Sequence, residues 1–115
     1  MLNQVVLVGR LVRNPELRTT DSNKSVTTVT LAIPRSFKNM NGEYDTDFVD
    51  CILWDGVAKS TSEYCKKGDI VGVKGRIQSR VVETEEKTKK YYIDLIAERV
   101  TFLSSKPTDE SKKSF

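Results

Sequence analysis

Phe48 and Trp54 stand six residues apart in the stretch from Tyr44 to Trp54, and strand alternation puts both on one side with Asp50 and Ile52. At the usual strand rise they lie roughly 20 Å apart. The other side, Val49, Cys51 and Leu53, is wholly apolar. Large rings that share a face with a carboxylate, opposite such a core side, point to water, where each can stack on an unpaired base for about 1 to 3 kcal/mol. Phe37, in a loop before Gly42, offers a third ring. Lys74, Arg76 and Arg80 alternate along one side of the stretch from Ile70 to Val82. With Arg35, Lys38 and the hairpin residues Lys87, Lys89 and Lys90 they are candidates for contacts to phosphates. Lys87, Lys89 and Lys90 alternate with Glu83, Glu85 and Glu86, so that hairpin is equally at home as solvated surface. Tyr91 and Tyr92 point to opposite faces, and at most one can join the stacking surface. The chemistry on offer is base stacking beside neutralisation of a phosphate backbone.

Composition narrows the alternatives. The chain has 115 residues, the size of one domain, and no histidine, which removes the commonest general base and metal ligand. Asp45, Asp47 and Asp50 invite comparison with a divalent-ion nuclease, but Asp45 and Asp47 share one strand face and Asp50 lies on the other, so the expectation is no catalysis, no metal and no cofactor. Cys51 and Cys65 lack metal or redox spacing and read as reduced apolar fillers. A net charge of +3 permits a nucleic-acid partner without requiring one. No apolar run reaches the ~20 residues of a membrane span and no secretory signal is legible, so a cytoplasmic address and no membrane partner are expected.

The elements that position these residues follow from period-two patterning. The stretch from Gln4 to Val12 carries β-branched residues on both faces, so one face meets the core and the other, with Val6 and Val8, is expected to meet a partner subunit. Strands are expected from Val26 to Ile33, from Tyr44 to Trp54, from Ile70 to Val82 and from Tyr91 to Leu103, the last with a bulge near Ala97 to Arg99 where the apolar phase shifts. Val29, Leu31 and Ile33 share one face, and Val71, Val73, Gly75, Ile77 and Val81 share the side opposite the basic stripe. A single short helix is expected after the third strand, capped by Asp55 and closed by Lys66 and Lys67 before Gly68. Five strands with one short helix between the third and fourth make an all-β OB-fold, a partly open barrel whose face and loops bind oligonucleotides, although another small barrel has similar strand content.

Four segments in register resemble the bacterial single-stranded DNA-binding proteins: Asn3-Gln4-Val5-Val6-Leu7-Val8-Gly9-Arg10-Leu11 with Pro15-Glu16-Leu17-Arg18, Phe48 to Trp54, Tyr64-Cys65-Lys66-Lys67-Gly68, and Gly75-Arg76-Ile77-Gln78-Ser79-Arg80. The resemblance covers about residues 1 to 103. It implies a homotetramer of OB-folds that binds and protects single-stranded DNA in the cytoplasm, with the nucleoid, without sequence specificity, during replication, recombination, repair or DNA uptake. It also implies stacking roles for Phe37, Phe48 and Trp54, which occupy the family's aromatic positions. Stacking and charge alone would equally suit an OB module for RNA or protein.

The chain departs from the pattern at three places. Val82 stands where the family usually has another aromatic, and Pro34 stands where a hydrogen-bonding strand residue is common, suggesting a strand end or an edge. Residues 104–115 are expected to form a disordered tail after a binding domain of residues 1–103. Members that recruit repair enzymes end in an acidic tip closing in Phe, whereas Lys112 and Lys113 precede Phe115 here, so recruitment through an acidic tail is not expected. That would suit an accessory member of the family, or one working in mixed tetramers.

Overall fold

β-branched and apolar residues at period two build five long strands, beside a sixth of two residues, in the computed structural model, which describes residues 1–104. The expectations placed on the tail therefore lie outside the described residues, apart from Ser104, which closes the last strand. The order is β1 (Val5–Leu11), β2 (Arg18–Thr19), β3 (Ser25–Lys38), β4 (Tyr44–Trp54), α1 (Asp55–Tyr64), β5 (Ile70–Glu83) and β6 (Lys89–Ser104). The strands neighbour one another as β1-β5-β6-β4-β3-β2, and β1 also pairs with β3, so five strands close into the barrel of an OB-fold with β2 appended. Two seams are short: β1 meets β3 at Arg10–Ala32 and Leu11–Leu31, and β4 runs parallel to β6 at Ile52–Ile96 and Leu53–Ala97. The helix falls between β4 and β5, the third and fourth long strands, as expected. β2, only two residues long, carries no alternation that could announce it.

Leu11, Val29, Leu31, Cys51, Leu53, Val71, Val73 and Ala97 fill the barrel, joined by Ala58 and Cys65 at its α1 end. α1 packs across β3, β4 and β6. Asp55 does not cap it. β4 runs straight into the helix, so Trp54 takes the N-cap position with no side-chain cap bond, and Asp55 absorbs the change of direction with φ 50°. Asp55 lies in the first turn, where the helix dipole favours a carboxylate. Lys66 and Lys67 fall beyond the helix, whose end is Tyr64. Their amides donate to Asp69 Oδ2 and Asn14 Oδ1, both at 2.8 Å.

The expected bulge is present: Lys74 pairs with Arg99 and Gly75 with Ala97, leaving Glu98 extra. Only glycine fits there, because a Cβ on Gly75 would stand 2.2 Å from the Ile96 carbonyl oxygen. A second irregularity, unforeseen, makes Leu103 extra between Val71–Phe102 and Ile70–Ser104. Beyond Gly75, β5 and β6 leave the barrel as a two-stranded arm. Ile77 and Val81, on the same side of β5 as the core residues Val71 and Val73, are therefore exposed with Tyr91 and Ile93, since no strand lies opposite them. The arm turns tightly at Thr84 to Thr88, where Thr84 N donates to the Thr88 carbonyl at 2.9 Å. As a result β6 begins at Lys89 rather than Tyr91.

β3 likewise runs past its expected end at Ile33. Pro34 pairs with Thr46 and the strand reaches Lys38, after an irregular stretch. Beyond Ala32, β1 no longer accompanies β3, so the proline's missing donor sits at an edge but not at a strand end. No helix is long and apolar enough to cross a membrane among the described residues.

Candidate nucleic-acid interface

Cross-strand partners share a face, so the register writes out the barrel's outer surface row by row. One row is Arg18, Val26 and Trp54 on β2, β3 and β4. The next is Thr28, Ile52, Ile96 and Arg76 across β3, β4, β6 and β5. Thr30 and Asp50 form another, and Ala32 with Phe48 a further one. Phe48 is 67% exposed and Trp54 38%, both outward as expected, while Val49, Cys51 and Leu53 turn inward. Trp54 also walls a groove of about 420 Å³ with Thr20, Ser22, Lys24 and Asp55. Phe37 is 63% exposed. It stands within β3 and not in a loop, because the hairpin turn starts only after Lys38.

The basic candidates separate into engaged and open groups. Arg35 donates to Asp47 at 2.9 Å and stands 3.7 Å from Asp45. That hydrogen bond raises the arginine's pKa and holds the Asp47 carboxyl below its ordinary range. Arg80 donates to Asp94 at 2.8 Å and lies 4.6 Å from the centre of the Tyr92 ring. Arg76 donates to the Gln78 amide oxygen at 2.7 Å, and Lys38 Nζ lies 5.8 Å from the Tyr44 ring centre. Lys74 is exposed opposite Arg99 on one side and Val6 on the other. Lys87, Lys89 and Lys90 sit at the tip of the arm, Lys89 opposite Glu83 and Lys90 opposite Val82.

The three aspartates do not converge. Arg35 takes Asp45 and Asp47, and Asp50 accepts a hydrogen bond from Thr30 at 2.5 Å. Cys51 is fully buried, which pushes its thiol up to about 11, and burial also raises Cys65. Both are packing groups. Val6 and Val8 face outward from β1 and are 68% and 53% exposed, so only one face of that strand is covered within a single chain.

Sequence reasoning missed Lys24 and Arg99, which stand beside Trp54 and Lys74. Lys24 lies in a turn with no period to read, and Arg99 follows a bulge that reverses the phase.

Residues 2–103 match the model of the single-strand binding protein family. The chain is 48% identical to single-stranded DNA-binding protein B of Bacillus subtilis over 96% of its own length and 98% of that protein's. It is 43% identical to single-stranded DNA-binding protein 1 of Lactococcus lactis, over 99% and 76% of the two chains. A single-stranded DNA-binding protein of Staphylococcus aureus is 42% identical over 98% and 72%.

Proposed function

We propose, from the premise that this chain belongs to the single-strand binding protein family, that it binds and protects single-stranded DNA without sequence specificity and makes or breaks no bond. The observation that carries the reading is the outward placement of Phe48, Trp54 and Phe37 on a surface that also presents Lys74 and Arg76. A soluble domain leaves large rings in water where they meet something, and a base offers each ring a flat apolar partner whatever its sequence. Phe37, Phe48 and Trp54 are the stacking platforms. Lys38, Lys74, Arg76 and the arm-tip lysines Lys87, Lys89 and Lys90 follow the phosphates, while Arg35 and Arg80 reach them on exchanging their carboxylate partners.

The working assembly is a homotetramer built through the Val6 and Val8 face, acting with the nucleoid in the cytoplasm wherever single strands arise in replication, recombination, repair or DNA uptake. Titration with oligo-dT tests the reading through Trp54, the chain's one tryptophan. Its fluorescence is expected to be quenched, and the affinity to fall steeply with salt at a slope of about 0.7 per phosphate neutralised. Competition with matched RNA fixes the preferred strand, and an unquenched Trp54 with a flat salt dependence rules out both stacking and the basic stripe.

A further inference from the structure

Arg13 lies in the segment between β1 and β2, outside the stripe that the alternation of β5 picks out. Its Nη2 donates to Thr30 Oγ1 at 2.7 Å, and that hydroxyl spends its own hydrogen on Asp50 Oδ1 at 2.5 Å. Thr30 belongs to the outer face, yet it is only 7% exposed, with the guanidinium on one side and the carboxylate on the other. Asp50 stands between Phe48 and Ile52, where an uncompensated negative charge would repel a passing phosphate. The relay through Thr30 supplies the compensation.

Arg13 and Arg18 line one groove of about 250 Å³ with Asn14, Glu16 and Thr28. Thr28 opens the Ile52 row and Arg18 the Trp54 row. Arg18 is two strands from Trp54, about 10 Å at the usual strand spacing, the distance of a neighbouring nucleotide rather than of a separate site. Among the described residues neither arginine forms an ion pair, in contrast to Arg35 and Arg80. Within the groove the two guanidinium groups face one carboxylate, that of Glu16, and Asp50 is reached only through the Thr30 hydroxyl. Arg13 has committed one nitrogen to Thr30, and its other donors carry no hydrogen bond among the described residues. A guanidinium offers a planar fork that matches two phosphate oxygens, and one already held in place loses less freedom on binding.

We propose that Arg13 and Arg18 form a phosphate clamp for the backbone of the nucleotide next to the one stacked on Trp54, with Thr30 as a positioning residue that holds Arg13 and quiets Asp50. The proposal rests on the single-strand-binding reading above and extends the DNA path over β3 and β2. The test titrates the full chain with oligo-dT across a salt series, reading Trp54 fluorescence, and compares Arg13→Gln, Arg18→Gln, Thr30→Val and Thr30→Ser with the wild type. Lys59→Gln, on the exposed side of α1, removes the same charge elsewhere.

Each arginine variant is expected to lower the salt slope by about 0.7, the value for one phosphate on a single strand, while Lys59→Gln keeps the wild-type slope. Thr30→Val is expected to weaken binding several-fold with the charge unchanged, and Thr30→Ser, which keeps the hydroxyl, to restore it. Arginine variants whose slopes equal that of Lys59→Gln overturn the clamp while leaving the stacking reading intact. Wild-type affinity in Thr30→Val overturns the positioning role, and a wild type that oligo-dT does not quench removes the clamp and its premise together.

Discussion

Trp54 is 38% exposed and Phe48 67%, so the indole is the more firmly seated platform, with Val26 beside it in its row and Lys24 across its groove. A ring already held by its neighbours loses little freedom when a base settles on it. Trp54→Ala is therefore expected to cost about 1 to 3 kcal/mol in binding, roughly fivefold to 150-fold, measured by the anisotropy of a labelled oligonucleotide because the variant has no tryptophan. An unchanged affinity would mean that Trp54 serves only the fold. Cys51 makes a separate prediction about pH. Its folded thiol titrates at about 11, above the ordinary value of 9.0. On raising the pH from 9 toward 11 the unfolded chain loses this proton first, so the stability Cys51 contributes is present below that window and lost across it. Urea midpoints should fall more steeply over this range in the wild type than in Cys51→Ala, and parallel curves would contradict the assignment. Phe48 and Trp54 were legible in the sequence because a period of two needs no partner to be read. The engagement of Arg35 by Asp47 and of Arg80 by Asp94 was not, because it depends on which residues the register sets opposite one another.

The bulge at Glu98 shows what an element can and cannot announce. A shift in apolar phase marked it in the sequence, but the requirement for Gly75 opposite appears only when the two backbones are placed together. In Gly75→Ala the new methyl would meet backbone at Ile96 and Ala97, which has no rotamer to move, so β5 and β6 must part. A stability loss of about 1 to 3 kcal/mol or more is expected, read from the urea midpoint, and a wild-type midpoint would show that the seam yields freely. Binding should weaken as well, because this seam carries Arg76 and Ile96 on the outer face. The same reasoning explains the other departures. The faces of β3, β4 and the barrel part of β5 followed from alternation alone, since inward residues there meet an opposite wall. On the arm the alternation continues while the opposite wall stops, so Ile77 and Val81 keep an apolar pattern without a core. Asp55 lost its capping place because β4 enters α1 with no loop between, something composition does not reveal.

At the scale of the whole molecule the uncovered face of β1 is decisive. Val6 and Val8 lie in water in the single chain. The surface beside Val8 is also apolar, since it pairs with Gly72 and Leu103 reaches over that glycine, its Cδ1 3.5 Å from where a Cβ would stand, while Val6 stands opposite Lys74 at the edge of the patch. Valines on both faces of a strand are a poor choice for a monomer and a natural one for a self-complementary contact. In an isologous interface one patch meets its own copy, so a charge placed in it is buried twice against an apolar surface. Val8→Glu should on these grounds dissociate the proposed homotetramer while leaving the barrel folded, because the residue points away from the core. Light scattering is expected to return a tetramer mass for the wild type and a lower mass for the variant, with the far-UV circular dichroism of the two alike. Each separated barrel keeps its aromatic face, so Trp54 quenching by a short oligonucleotide should persist, whereas the length of DNA covered per particle should shrink with the number of barrels. A wild type that already scatters as a single chain at micromolar concentration would remove the assembly from the proposal and leave the exposed valines without a role.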